Sequence, residues 1–360
     1  MAQLGFGFLR LPEKDNDVDY SILNEMVDTF LAGGGTYFDT SHTYMDGKSE
    51  EAIRKALVER YPRERFQIAT KMPGYRIKSR EECEVYFKES AQRCGVDYFD
   101  VYMLHWLNAE HYRIAEQYGE FEFLQELKRS GKAKRIGFSF HDTAEVLDEI
   151  LTAHPEVDCV LLQINYLDWD SPSVQSRLCL ETAKRHGKSV IVMEPVKGGS
   201  LATVSDAAAR VLHQIDPALT PAGHAIRFVK SLNEVEIVLS GMNAMQQLTE
   251  NLRPMTPVTD TERTLLEQAA RIIRGNTAVA CTGCGYCKKA CPMGIDIPGC
   301  FALYNEHMLA PIHMWEILPT YAKIAHQPAQ CIACHACEAN CPQKLPIPDT
   351  MKIIAESLPK

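Results

Sequence analysis

Two copies of one cysteine run dominate what the C-terminal part of this chain can become. The first reads Cys281-Thr-Gly-Cys284-Gly-Tyr-Cys287-Lys-Lys-Ala-Cys291-Pro292, the second Cys331-Ile-Ala-Cys334-His-Ala-Cys337-Glu-Ala-Asn-Cys341-Pro342. Three thiolates spaced by two residues on one tight loop can hold three irons of a cubane, and the repeat of the whole C-x2-C-x2-C-x3-C-P run points to two 4Fe-4S clusters. Zinc takes paired ligands rather than quartets at this spacing. Disulfides need an oxidising compartment, and the opening Met1-Ala-Gln-Leu-Gly lacks the charged and long apolar segments of a secretory leader. The expected location is therefore the cytoplasm. Of 13 cysteines, five stand outside the runs: Cys83, Cys94, Cys159, Cys179 and Cys300. They read as small buried hydrophobes.

The repeated run resembles the bacterial-type two-cluster ferredoxins. In that pattern the fourth cysteine of each run serves the other cluster. The resemblance implies one cluster on Cys281, Cys284, Cys287 and Cys341, and another on Cys331, Cys334, Cys337 and Cys291. Gly275-Asn276-Thr277 is the expected boundary, which makes residues 1–275 one domain and 276–360 the other. A tail that short has a marginal core without staples. Between the runs, residues 298–325 are too apolar for a free linker and read as helices.

Upstream, strand-like and helix-like segments alternate. Apolar runs at residues 4–11, 37–39, 66–70, 101–104, 135–139, 160–164, 190–193 and 236–239 read as strands. Each is followed by residues at helical spacing, such as Ile22, Leu23, Met26, Val27, Phe30 and Leu31. Ser49 and the Ser79/Glu82 pair read as helix N-terminal signals, and residues 259–273 as one more helix. Strict alternation implies a parallel sheet. Eight units suggest a closed (β/α)8 TIM barrel with the two-cluster domain appended. Hydrophobic residues make up 46% of the 360, enough for a core of that size. The net charge of −9 argues against a nucleic-acid groove. No apolar run approaches the length of a membrane span.

In such a barrel the reactive residues stand at the C-terminal ends of strands. Asp39 and Tyr44 follow the second strand, Lys71 the third and His105 the fourth. An ammonium near a phenol favours the phenolate, so Lys71 is expected to lower the Tyr44 pKa, with Asp39 pairing the lysine. The set would then give or take a proton near neutral pH.

The same residues carry a family resemblance. Phe38-Asp39-Thr40-Ser41-x-x-Tyr44, Ala69-Thr70-Lys71 and Tyr102-Met103-Leu104-His105 resemble the tetrad motifs of the aldo-keto reductases. Lys134 through Ser139, Gln163-Ile-Asn165-Tyr166, Glu194-Pro195-Val-Lys197-Gly198-Gly199, and Ser240-Gly241-Met242 through Glu250-Asn251 resemble that family's cofactor-side motifs in the same order. The resemblance implies an NAD(P)(H) cofactor near Ser139, Gln163, Met193, Lys197, Gly198, Gly199, Ser240, Gly241, Met242, Gln247 and Asn251. It implies Tyr44 as general acid, Lys71 and Asp39 as its tuners, and His105 orienting the carbonyl. The chain departs from the family at Phe140, where Asn is usual, and at Met193, where an aromatic is usual. A third departure is Gln247, where NADP-preferring members carry a basic residue. Lacking that cation, the chain is expected to bind NADH at least as well as NADPH. The first strand also begins without the family's preceding hairpin.

Two functions follow from these readings. One is NAD(P)H-linked reduction of a small aldehyde or ketone, or the reverse alcohol oxidation, with the clusters transferring electrons or serving as structure. The other is an electron-transfer protein whose barrel binds a flavin or docks a redox partner protein. Hydride moves two electrons and a cluster one, so direct coupling calls for a converter such as flavin.

Overall fold

The computed structural model describes residues 1–309, 321 and 324–357. The chain forms two compact units. The first is residues 1–195 with 225–258, and the second is 196–224 with 259–360.

The first unit is a closed barrel of eight parallel strands: β1 Gln3–Gly7, β2 Tyr37–Asp39, β3 Gln67–Met72, β4 Phe99–Leu107, β5 Ala133–Phe140, β6 Cys159–Gln163, β7 Ser189–Met193 and β8 Val235–Gly241. Strands pair with their sequence neighbours, and β8 closes on β1 with Gly7 opposite Gly241. Tyr37, Ala69, Val101, Met103, Cys159, Leu161, Ile191, Ile237 and Leu239 form one interior cluster. Strand alternation turns these positions inward. Gly137 on β5 sits where a Cβ would collide with the Cys159 carbonyl, so only glycine lets β5 and β6 approach there.

Helix α1, Tyr20–Ala32, buries Leu23, Met26, Val27, Phe30 and Leu31 on one face. Its first amides are capped by Asp19 Oδ1, at 3.0 Å from the Ser21 N and 3.3 Å from the Ile22 N. Phe30 meets Phe6 and Phe38 edge-on, and each such buried ring contributes roughly 1.5–3 kcal/mol. Helix α2, Lys48–Ile53, runs into a π-helical turn at Arg54–Val58. Ser49 does not cap it. Its hydroxyl lies inside the fold, donates to the Phe8 carbonyl at 2.8 Å and meets the Thr40 hydroxyl at 2.6 Å. The core claims Ser49 because Gly47, with φ 93°, already makes the turn into the helix. Helix α3, Glu81–Cys94, ends on left-handed Gly95. Its Glu82 carboxylate accepts from the Lys78 amide rather than closing a box with Ser79. Two helices follow β4: α4 Ala109–Gln117 and α5 Glu120–Arg129. The remaining helices of the barrel region are α6 Ala144–Ala153, α7 Ser176–Arg185, α8 Asp206–Ile215, α9 Pro221–Lys230 and α10 Met245–Asn251. Of these, α8 belongs to the second unit, and the chain returns to the first within α9.

In the second unit α8 packs against α11, Asp260–Gly275. The Thr259–Glu262 capping box starts α11. The cysteine runs follow, each entering a short helix from a left-handed residue. Gly285 precedes α12, Tyr286–Ala290, and His335 precedes α13, Ala336–Ala339. Helices Ile297–Leu309 and Ile347–Ser357 bury Ile297, Cys300, Phe301, Ile347, Met351 and Ile354 around them. Asn305 clamps the Val279 backbone at both its N–H and its carbonyl. Of the stretch 298–325, residues 310–320 and 322–323 lie outside the described residues. Cys83, Cys94, Cys159, Cys179 and Cys300 are all buried. Among the described residues no helix is long and apolar enough to cross a membrane.

Candidate functional site

The ends of β2, β3 and β4 bring Asp39, Tyr44, Lys71 and His105 together. Lys71 Nζ donates to Asp39 Oδ1 at 2.6 Å and to the Thr40 carbonyl at 2.7 Å. Both side chains are sealed from water. The same ammonium stands 4.8 Å from the Tyr44 ring centroid. The Tyr44 and His105 rings meet edge-on at 5.6 Å. Tyr44 is fixed by the turn it opens, in which Met45 and Asp46 are both left-handed.

The expected lowering of the Tyr44 pKa does not occur. Burial first, then the Asp39 and Glu194 carboxylates, hold the phenol well above its ordinary value of 10, and Arg10 opposes them only in part. Tyr44 is thus a protonated donor at neutral pH. Burial also pushes Asp39 up and Lys71 down, while their mutual contact opposes both shifts. His105 is held well below 6.5 by burial and by the Lys71 charge, so it is a neutral imidazole.

The Ser41 hydroxyl lies 3.0 Å from His105 Nδ1 and 3.4 Å from the Lys71 carbonyl. It has one proton to donate. Given to Nδ1, that proton leaves Nε2 carrying the ring hydrogen and makes His105 a donor on its other side.

Sequence reading missed the support around this set. Trp106 is left-handed at φ 63°, and the β4–β5 register shifts between Leu104 and Leu107. Ser139 Oγ accepts from the Trp106 amide at 2.6 Å. The Trp106 carbonyl accepts from His111 Nδ1 at 2.6 Å. Tyr75 stacks on His111 at 5.0 Å and faces Trp106 edge-on. The bulge re-aims His105, which follows from the irregular strand geometry at such sites. Behind Thr70, buried Glu50 accepts from its hydroxyl at 2.8 Å. Ser41, Thr70 and Ser139 had a local signal in their places inside the quoted motifs; Trp106, His111, Tyr75 and Glu50 had none.

The cofactor-side residues fall into groups. Ser139, Gln163 and Met193 end β5, β6 and β7. Gln163 Nε2 and Asn165 Nδ2 both donate to Asp168 Oδ2, at 3.2 and 2.9 Å. Met193 packs on the barrel's interior cluster. Ser240 and Gly241 end β8, and Met242, Gln247 and Asn251 follow it. There Asn251 Nδ2 donates to Ser240 Oγ at 3.1 Å, and Gln247 Oε1 accepts from the Asn243 amide at 2.9 Å. Lys197, Gly198 and Gly199 belong to the second unit. Phe140 is buried edge-on to Phe138, a core position rather than a polar one.

Among the described residues of the second unit, two cavities are lined by the cysteines of the runs. One is lined by Cys281, Cys284, Cys287 and Cys341. The other is lined by Cys291, Cys331, Cys334 and Cys337. Each takes three thiols from one run and the fourth from the other. Phe301 and Leu345 share the wall of the first with Thr282, Asn340 and Gln343, while Met293 and Met351 stand among the apolar side chains of the second. The Gly283 amide donates to Cys281 Sγ at 3.3 Å, the kind of N–H···S bond that tunes a cluster. Thiol number and grouping fit a 4Fe-4S group in each.

The aldo/keto reductase family profile matches residues 3–271, and the 4Fe-4S dicluster domain profile matches residues 280–345. The chain belongs to the aldo/keto reductase family. Among curated relatives of this aldo/keto reductase is the NADH-specific methylglyoxal reductase of Escherichia coli. It is 27% identical over 56% of the chain, and the match spans 65% of that relative, just under two thirds of its length. An aldo-keto reductase of Mycobacterium avium is 26% identical over 70% of the chain and 80% of the relative. Among solved structures, aldo-keto reductase AKR11C1 from Bacillus halodurans superposes with a TM-score of 0.61, at 23% identity over 74% of this chain and 91% of that one. An aldo-keto reductase from Klebsiella pneumoniae in complex with NADPH superposes at 0.59, with 18% identity over 74% and 89%. Both structures share the fold.

Proposed function

We propose that the barrel reduces a small aldehyde or ketone with a nicotinamide cofactor, with Tyr44 as general acid. The observation that carries this reading is the buried Asp39–Lys71 pair set beneath a phenol and a neutral imidazole. A carbonyl oxygen gains negative charge as its carbon is reduced. Tyr44 O–H and His105 Nε2–H are donors suited to that oxygen, and Tyr44 then passes it the proton. His105 stays neutral, so it orients rather than protonates. The tautomer this needs is the one in which the Ser41 hydroxyl donates to His105 Nδ1 rather than to the Lys71 carbonyl.

The buried carboxamides of Gln163 and Asn165, with the Ser139 hydroxyl, form a donor–acceptor set suited to a nicotinamide carboxamide. When bound, that cofactor supplies the hydride. Ser240, Gly241, Met242, Gln247 and Asn251 are assigned to its nucleotide end, and the Lys197–Gly198–Gly199 turn to the same cofactor from its place after β7. Gln247 carries no charge for a 2′-phosphate, which supports NADH. The name of the Escherichia coli relative makes methylglyoxal and other short carbonyls the first substrates to try. Residues 1–275 are read as the reductase part. Residues 276–360 carry two 4Fe-4S clusters on the ligand sets the two cavities bring together, where they hold the second unit's small core.

The test is Tyr44→Phe. Phenylalanine keeps the ring contacts with His105 and Lys71, so folding should be unaffected. NADH-dependent methylglyoxal reduction should fall about 10²–10⁴-fold, the usual worth of a positioned acid. Turnover near wild type in the folded variant would remove Tyr44 from the chemistry.

A further inference from the structure

Behind the strand ends that carry Asp39 and Lys71, the barrel buries a second carboxylate. Glu50 of α2 is fully withdrawn from water. Its Oε1 accepts from the Thr70 hydroxyl at 2.8 Å, and its Oε2 faces Arg93 Nη1 at 3.4 Å. Thr70 sits between two residues of β3 that hold the site together. The Ala69 carbonyl accepts from the Thr40 amide at 2.9 Å, and Lys71 reaches back to Asp39 and to the Thr40 carbonyl. Arg93, in the last turn of α3, grips a second segment with the same Nη1, which donates to the His42 carbonyl at 3.3 Å. The His42 amide in turn donates to the Lys71 carbonyl at 3.2 Å. His42 stands between Ser41, whose hydroxyl faces His105, and the turn that Tyr44 opens. One guanidinium thus ties α3 to the segments that carry Asp39, Tyr44 and Lys71.

Burial decides which of the Arg93 contacts matters. A carboxylate removed from water needs a cation or several donors beside it, and stripping its partner away costs far more than opening a surface pair. Arg93 also meets Glu89 at 3.6 Å, but that pair lies one turn apart on the same helix and is partly exposed, so it contributes little. The Glu50 charge bears on the lysine of the site as well. Burial pushes the Lys71 pKa down, and Asp39 first, then Glu50, oppose that shift.

We propose that Arg93 is a positioning residue for the reductase reaction: by neutralising buried Glu50 and holding the His42 carbonyl, it keeps Thr70–Lys71 and Ser41–Tyr44 in the arrangement that presents the Tyr44 hydroxyl to the carbonyl oxygen. The inference rests on reading Asp39, Tyr44, Lys71 and His105 as the reductase site. Arg93 acts on that site only through Glu50 and His42, so it governs turnover and leaves binding unchanged.

The experiment uses full-length protein purified anaerobically: wild type, Arg93→Ala, the double variant Glu50→Gln/Arg93→Ala, and Tyr44→Phe. NADH-dependent methylglyoxal reduction gives kcat and KM, a fluorescence titration gives NADH affinity, and circular dichroism reports folding. Arg93→Ala should lower kcat about 10–100-fold, the scale set by a small displacement of reacting groups from a remote change. KM and NADH affinity should stay within about twofold of wild type, the signature of an interaction made in the transition state. The double variant strands no charge yet still frees the His42 carbonyl, so its kcat should fall between those of Arg93→Ala and wild type. A folded Arg93→Ala within about twofold of wild-type kcat overturns the positioning role, as does a loss confined to KM or NADH affinity. A double variant outside the interval between the two overturns it too. Should Arg93→Ala fail to fold, the double variant is compared with wild type alone, and equal kcat overturns the role. In all these cases a slow Tyr44→Phe leaves the reductase reading standing. Wild-type turnover in Tyr44→Phe overturns that reading, and the role of Arg93 with it.

Discussion

Replacing Lys71 by methionine isolates the buried ion pair under the candidate site. Lys71 Nζ and Asp39 Oδ1 are 2.6 Å apart and almost fully withdrawn from water. At an effective dielectric of about 20 their attraction is about 6 kcal/mol. Much of that offsets desolvation of the two ions, so the loss on breaking the pair should be about 3–5 kcal/mol. Asp39 Oδ2 already lacks a hydrogen-bond partner, so the stranded carboxylate has little left to hold its charge. It should take up a proton, and its folded pKa, already raised, should rise further. The sign of the pH dependence follows. A carboxyl whose folded pKa exceeds the unfolded value of about 3.9 binds more protons folded than unfolded. Lys71→Met should therefore lose stability as pH rises above about 4, by up to roughly 1.4 kcal/mol per unit until the folded pKa is reached. Urea unfolding followed by tryptophan fluorescence at pH 5 and pH 8 measures this, with wild type as reference. The double variant Asp39→Asn/Lys71→Met removes both charges and should recover most of the loss. A single-variant loss below about 1 kcal/mol at pH 8, or a double variant no more stable than the single, would refute the account.

Cys291→Ser should damage the cluster that Cys331, Cys334 and Cys337 serve, and Cys341→Ser the one that Cys281, Cys284 and Cys287 serve. Iron counting and EPR decide, and damage to the cluster of the mutated residue's own run would make the two runs independent sites. Ser41→Ala removes the hydroxyl that lies 3.0 Å from His105 Nδ1; kcat should fall about tenfold or more while NADH affinity holds, and an unchanged kcat would free His105 of Ser41. In a direct titration NADH should bind at least as tightly as NADPH, and a strong NADPH preference would point to another cation at the 2′-phosphate.

The barrel was legible because its signal is local. Apolar strands alternate with helical stripes, and the polar residues right after those strands are the ones the structure gathers. What stayed hidden depends on residues far apart in sequence. Nothing around Trp106 announces that its backbone turns left-handed, because the amide that requires it is satisfied by Ser139 on the next strand. Helix α4 was overlooked because only Ala115 of it is buried, which leaves no apolar stripe to read. Ser49 carried a good capping signal and was drawn inward by Phe8 and Thr40 instead. The direction of the Tyr44 shift is hidden from the sequence because charge is visible there and burial is not: desolvation leads the causes that raise it.

The crossed grouping of the eight thiols orders events during synthesis. A ribosome delivers residues in sequence, so the ligands Cys291, Cys331, Cys334 and Cys337 are all made before Cys341. Under that grouping the site nearest the barrel in sequence is the last that can be completed, because its fourth ligand is the final cysteine of the chain. A chain stopped at Asn340 should carry one cluster, and it should be the one belonging to the later run.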